Sequence, residues 1–269
     1  MLTTASQVPD PSEATIRGIR GRNAEISRLL PTLTKLGPGT MLRLMALKLA
    51  IVSGGLIALG LLLAQLRVLP PLVCFGTSLL GVAVGLAVLP AALLAWKNGT
   101  KQWHFLGLGV LLWLLPLLLL SSARGKPRIN DISSDPADPP VFVALKQVPA
   151  NRGRDMGYPE KNRSQQQAGY PDLASLQLAA SPSAALARAQ QSAEALGWTV
   201  VEVADDAGRL EATQESRGFR FVDDVVVRGR STDAGTLVDV RSKSRDGKGD
   251  LGKNAERIRE FMGKMAADG

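Results

Sequence analysis

Uncharged, mostly apolar residues fill three consecutive stretches in the first half of the chain. They cover residues 49–66, 68–96 and 102–123. A helix needs about 20 mostly apolar residues to cross the hydrocarbon core of a bilayer. Three such stretches in close succession are more than the buried helices of a soluble domain supply. We therefore predict three transmembrane helices, which form an anchor over residues 45–122.

The positive charges around these stretches predict an orientation. Residues 1–44 form a basic segment, the first connection carries Arg67 alone, and the second carries Lys97 and Lys101. Lys and Arg concentrate on the cytoplasmic side of membrane proteins. We expect a multi-pass protein of a bacterial inner membrane, with a cytoplasmic N terminus and a periplasmic C-terminal domain.

The second half of the chain has short stretches of strand-like alternation and helix-like periodicity, which are typical of a fold that mixes strands and helices. Residues 123–172 are rich in Pro and Asp and are interpreted as a linker, and residues 173–269 as a compact domain. Alternation and turn signals predict its strands and helices. The strands are predicted over 173–179, 198–204, 209–215, 219–230 and 236–245, and the helices over 182–196 and 251–266. This order predicts an α+β two-layer domain, an antiparallel sheet with two helices that is helix-grip-like.

The two longest strands can be aligned by their apolar faces and their charges. Opposite charges that face each other across two antiparallel strands stabilise one register over its neighbours. The predicted register pairs Val227 with Val240, Arg228 with Asp239, Asp224 with Lys243, and Asp223 with Ser244.

The same alignment identifies the candidate functional residues. It puts Asp223 on the apolar side, where a carboxylate needs a hydrogen-bond partner or a shifted pKa. Asp223 has either a structural role, bonded to Ser244 or to backbone N–H groups, or a role in catalysis or binding. The candidate polar residues are Asp223, Asp224, Arg228, Asp239 and Arg241.

Composition narrows the function classes. The net charge of +8 is uneven: residues 1–120 contribute +7, and the remainder, with 22 basic and 21 acidic residues, contributes +1. The domain therefore lacks the concentrated positive charge that nucleic-acid binding requires. One Cys and one His do not build a zinc site of the usual kind. Asp131, Asp135 and Asp138 could gather around a hard cation, but Asp near Pro is ordinary loop chemistry, so no metal or cofactor is predicted.

The stretch GKGDLGKN, residues 247–254, differs by one residue from a phosphate-binding P-loop. A P-loop joins a parallel strand to a helix, whereas the strand before this stretch is half of an antiparallel pair. Asn254 also replaces the Ser or Thr that would hold Mg²⁺. We predict that Asp250 caps the last helix and that no nucleotide binds.

Several segments in order carry a family resemblance. They are NDISSDPADPPVF (130–142), ALGWTVVEVADDAGRLEAT (195–213), FRFVDDVVVRGR (219–230) and VDVRSKSRDGKGDLGKNAERIREF (238–261). Over about residues 128–266 the chain resembles the bacterial proteins grouped as domain-of-unknown-function family 1499. The resemblance implies an α+β domain, often tethered to an envelope membrane, and implies no catalytic residues.

Two classes of function remain open. The first is a non-enzymatic, membrane-anchored envelope domain that binds a lipid, a small ligand or a protein. This class is favoured because the sequence shows no set of residues in a pattern typical of an active site. The alternative is a carboxylate-dependent hydrolase, in which Asp223 and Asp224 divide acid and base work.

Overall fold

The structure is a computed structural model that describes residues 37–99 and 103–267. Most of the basic segment 1–44 lies outside the described residues. Four helices, α1–α4, precede a mixed domain. They are α1 (Pro38–Gln65), α2 (Pro71–Gly85), α3 (Val88–Lys97) and α4 (Trp103–Ala123).

Two apolar segments are long enough to cross a membrane. One is Pro38–Gln65, and the other is Pro71–Lys97, which comprises α2 and α3. Most of their side chains are exposed in the isolated chain, which suits helices that face lipid. The third predicted span is also helical, as the 21-residue α4, which contains the apolar stretch Trp103–Leu118. Two of the three predicted spans thus correspond to helices that are long and apolar enough to cross a membrane.

Glycines allow the apolar helices to pack closely. A Cβ on Gly60 would lie 2.4 Å from the carbonyl oxygen of Cys74, and one on Gly109 would lie 2.7 Å from the Cα of Leu89. A Cβ on Gly85 would lie 2.8 Å from the side chain of Leu112. Small residues at these points let backbones approach in the way membrane helices commonly do.

The C-terminal domain is built on an antiparallel sheet. Its strands are β1 (Asp131–Ser133), β2 (Leu176–Leu178), β3 (Thr199–Ala204), β4 (Arg209–Glu215), β5 (Val222–Thr232) and β6 (Gly235–Ser244). The strand order is β1-β6-β5-β4-β3, and β2 also pairs with β6. The predicted register of β5 and β6 is confirmed at all four pairs, from Asp223 with Ser244 to Arg228 with Asp239.

Two long helices cover one face of the sheet. They are α7 (Pro182–Ala195) and α8 (Lys253–Ala267), and the Ser181 hydroxyl caps α7 by accepting from Ala184 N. Their apolar stripes meet Val225, Val227, Val238 and Val240 in a continuous core, where Trp198 stacks on Phe261 at 4.9 Å. This part of the domain matches the predicted α+β pattern.

Residues 134–169 cover the opposite face of the sheet. They contain α5 (Ala144–Gln147), a short 3₁₀ turn (Pro149–Asn151) and α6 (Glu160–Gly169). Phe142, Leu145 and Met156 pack there on Val226 of β5. The Pro/Asp-rich segment assigned to a linker therefore supplies a strand and this cover. The two-layer description omitted the cover because prolines and short helices leave no periodic signal.

Candidate functional site

The neighbours Asp223 and Asp224 point to opposite faces of the sheet. Side chains alternate along a strand, so adjacent residues cannot serve one side. Asp223 faces α8 and pairs with Arg257, whereas Asp224 is fully buried on the other face and pairs with Arg245 at 2.6 Å. The two carboxylates therefore cannot share acid and base work on one substrate.

Four of the five candidate residues lie together on the covered face. Asp224, Arg228, Asp239 and Arg241 belong to what we call the charged face, with Glu211 and Lys243. The register pair Asp224 and Lys243 does not form an ion pair. Lys243 instead bonds Asp131 at 2.7 Å, while Asp224 accepts from Arg245, Asn151 and Arg154.

Arg241 lies at the centre of the charged face. Its Nε and Nη2 bond the two oxygens of Asp131 at 2.9 and 2.8 Å, and its other donors reach the carbonyls of Pro140 and Met156. Its guanidinium lies over the rings of Phe142 and Tyr158. Burial, followed by the charge of Asp131, raises the pKa of Tyr158 to about 12. Four hydrogen bonds, to Asp131 and to two backbone carbonyls, thus hold this buried cation in place.

The acidic residues of the Asp-Pro segment bind arginines. Arg228 pairs with Asp239 at 2.9 Å and with Asp138 at 3.0 Å, and Arg230 pairs with Asp135 at 3.0 Å. The hard-cation arrangement considered for Asp131, Asp135 and Asp138 is not formed, because Asp131 is occupied by Arg241 and Lys243. Among residues 37–99 and 103–267, no group of acidic, His or Cys side chains is placed to hold a metal ion.

Asp223 lies instead beside an open cavity of about 720 Å³, which we call the Asp223 cleft. That volume is within the range of small-molecule sites. The sheet, the loop before α8 and the start of α2 contribute its walls. Its lining includes Leu72, Phe75, Arg217, Phe221, Asp223, Asp246, Leu251, Arg257 and Glu260.

Arg257 organises the polar floor of the Asp223 cleft. It donates to Asp223, to Gln214 and to the Ser242 hydroxyl, the last at 2.8 Å. Asn254, one turn earlier on α8, accepts from Arg257 and donates to Ser244 Oγ at 2.9 Å. The predicted partner of Asp223 was Ser244 or a backbone N–H, and the observed side-chain partner is Arg257. The sequence signal for this partner is the pair of polar residues Asn254 and Arg257, which interrupt the apolar stripe at the start of the last helix.

The GKGDLGKN loop forms one rim of the cleft. Asp250 accepts from Gly252 N at 2.9 Å and from Asn254 N at 2.7 Å, which confirms the predicted helix cap. Burial raises the pKa of this carboxyl. Two backbone N–H groups of the loop are thus engaged by an internal carboxylate. Lys253, at the lysine position of the motif, pairs with Glu256.

Aromatic residues form the apolar wall. The Phe75 ring of α2 contacts Phe219 and Phe221 edge-on, at centroid distances of 5.2 and 5.9 Å. Phe219 and Phe221 fall within the predicted strand 219–230, but β5 begins only at Val222. Both rings instead belong to the β4–β5 connection, where Arg220 adopts a φ of 60°.

These features define an antiparallel α+β domain with a charged, covered face and an open cleft, preceded in the chain by apolar helices. The chain belongs to the family described as protein of unknown function DUF1499, whose model matches residues 131–265. This match confirms the resemblance drawn from the sequence, and it begins at the first residue of β1. No curated protein matches the chain.

Proposed function

We propose that this chain is a non-enzymatic binding protein anchored in the cytoplasmic membrane, and that its Asp223 cleft takes an amphipathic ligand. Three spans anchor the domain, which faces the outer side of that membrane. The ligand places its polar end near Arg257 and its apolar end against α2.

The mixed lining of the cleft carries this proposal. Leu72 and Phe75 come from a helix apolar enough to cross a membrane, yet they share one cavity with Asp223 and Arg257. The exposed fractions of Leu72 and Leu251 are 54% and 52%. Apolar side chains exposed beside convergent polar groups are the usual composition of a ligand site.

Contacts of the α1–α2 connection support three crossings. Gln65 Nε2 donates to the carbonyls of Arg217 and Gly218 at 2.9 and 2.7 Å, and Arg67 pairs with Glu215 at 3.2 Å. A connection that touches the domain lies on the same side of the bilayer as the domain. A chain that leaves that side through α2 and α3 must return, and α4 is the helix available for it.

The hydrolase alternative gains no support from the geometry. Asp223 is held by Arg257 and Asp224 is enclosed by Arg245 and Arg154, on opposite faces. A general base must be within hydrogen-bonding reach of the proton it takes. The exposed acid pair that the alternative requires is replaced by two separate ion pairs.

Photocrosslinking tests the binding site. The full chain is reconstituted with a phospholipid that carries a photoreactive group near the end of one acyl chain, and labelled peptides are identified by mass spectrometry. We expect labelling of the peptides that contain Phe221 and Leu251 as well as of the apolar helices. Leu251→Glu should reduce domain labelling severalfold, because a charge opposes burial of an acyl chain.

The matched control is Val201→Glu, which changes an exposed strand residue outside the cleft. It should leave domain labelling unchanged. Labelling confined to the membrane helices, with none in the domain, would overturn the proposal.

Cysteine accessibility tests the anchor. In a Cys74→Ser background, single substitutions Leu69→Cys, Gly99→Cys and Asp233→Cys are treated with a membrane-impermeant maleimide in intact cells. We expect Leu69→Cys and Asp233→Cys to react and Gly99→Cys to be protected. Protection of Asp233→Cys with reaction of Leu69→Cys would exclude three crossings.

A further inference from the structure

Some charged side chains of the Asp223 cleft have a partner within the protein, and others have none. Asp223 is paired with Arg257, and Asp250 is engaged by backbone N–H groups. Asp246, Glu260 and Arg217 also line the cleft. Within the part of the chain that the structure describes, the side chains of these three residues have no hydrogen bond or ion pair.

These three side chains leave two negative charges and one positive charge for a ligand. A purely anionic ligand would meet the carboxylates of Asp246 and Glu260, and like charges in one site disfavour binding. A purely cationic ligand would leave Arg217 unmatched. A ligand with one anionic group and one ammonium group satisfies both signs.

The apolar lining of the cleft indicates that the ligand carries an apolar chain. Leu72 and Phe75 extend the cleft onto α2, a helix within an apolar segment long enough to span a bilayer. A chain that runs along these residues passes from the cleft toward the hydrocarbon. A free zwitterion of small size would leave this part of the lining exposed to water, at a cost proportional to its apolar area.

We propose, on the basis of the proposed function, that the ligand is a bilayer phospholipid whose zwitterionic headgroup carries a phosphate and a primary ammonium. Arg217 pairs with the phosphate, and Asp246 and Glu260 accept hydrogen bonds from the ammonium. The acyl chains lie against Leu72 and Phe75. A primary ammonium has three donors, so it is preferred to a quaternary ammonium, which has none.

Native mass spectrometry of the full chain in detergent tests this selection. The protein is incubated with equal amounts of phosphatidylethanolamine, phosphatidylcholine and phosphatidylglycerol that have identical acyl chains. For each lipid, the amount bound in the cleft is the amount bound to the native chain minus the amount bound to the Leu251→Glu variant. We expect cleft-bound phosphatidylethanolamine to exceed each competitor by about threefold to fivefold, the range that exposed ion pairs supply.

The double variant Asp246→Asn with Glu260→Gln should reduce that preference to about one, while the cleft-bound total falls less than the preference does. Its control is Asp205→Asn with Asp206→Asn, which removes two exposed carboxylates in the β3–β4 turn and should keep the preference.

The outcomes separate the two proposals. Cleft-bound lipid without headgroup preference, or with preference for phosphatidylglycerol or phosphatidylcholine, overturns the zwitterion assignment and leaves the binding function standing. A preference that survives the double variant also overturns the assignment to Asp246 and Glu260. No difference between the native chain and Leu251→Glu for any lipid overturns both.

Discussion

The Asp131→Asn substitution tests whether the charged face holds the domain together. Asp131 is fully buried and pairs with Arg241, whose exposed fraction is 2%, and with Lys243. Asparagine keeps the shape of the side chain but leaves two buried cations without a counter-charge. Removal of one partner from a buried ion pair costs about 3–5 kcal/mol. A loss of that size is a large share of the stability of a typical domain, about 5–15 kcal/mol.

Urea unfolding of a fragment comprising residues 124–269 measures this loss. Trp198 is the one tryptophan in that range and packs on Phe261, so its fluorescence reports the core. The midpoint should fall strongly while the slope stays constant, because the area exposed on unfolding does not change.

Asp172→Asn is the matched control. Asp172 makes the same two-point contact, with Arg259, but the side chains are 54% and 43% exposed. Exposed pairs contribute up to about 1 kcal/mol, so the control should lose little. Equal losses in the two variants would refute the view that burial makes the charged face decisive.

Three further predictions concern the domain. Gly235→Ala should lower the free energy of unfolding by more than about 1 kcal/mol, since φ is 118° and a Cβ would lie 2.2 Å from the Leu178 carbonyl oxygen. Gly263→Ala, in the open middle of α8, should instead stabilise the domain. Urea unfolding measures both changes. Because burial raises the pKa of Asp250, its contribution to stability is full below the ordinary value of 3.8 and declines as pH rises through the raised pKa. Asp250→Asn, which keeps a capping oxygen, should remove that decline in unfolding measured from about pH 4 to pH 7. In a spectrophotometric titration, one tyrosine should ionise near pH 12, and Tyr158→Phe should remove that step.

Local patterns predicted the elements with strong periodic or capping signals. The cap at Ser181, the β5–β6 register and the cap at Asp250 each depend on residues close in sequence or on one hairpin. Strand alternation also separates Asp223 from Asp224, a consequence that the hydrolase hypothesis overlooked. The family match confirmed the resemblance over residues 131–265.

Local sequence patterns did not predict contacts between residues that are distant in the sequence. β1 has three residues, and its pairing with β6 joins Asp131 to Lys243 across 112 positions. The segment between β1 and β2 was interpreted as a polar loop because its Asp135 and Asp138 pair with arginines and its few apolar residues show no helical or strand period. The Asp223 cleft requires α2, α8 and the β4–β5 connection together, and no single segment predicts such a meeting.

The pairing of β1 with β6 also constrains the order in which the chain can assemble. During synthesis β1 emerges first, and its partner follows only after the rest of the sheet has been made. The β5–β6 pairing is local in sequence, so it precedes the pairing of β6 with the distant β1. Until then one side of β6 offers unpaired backbone groups to other chains. Slow closure would therefore appear as concentration-dependent aggregation of nascent protein, even where the finished domain is stable.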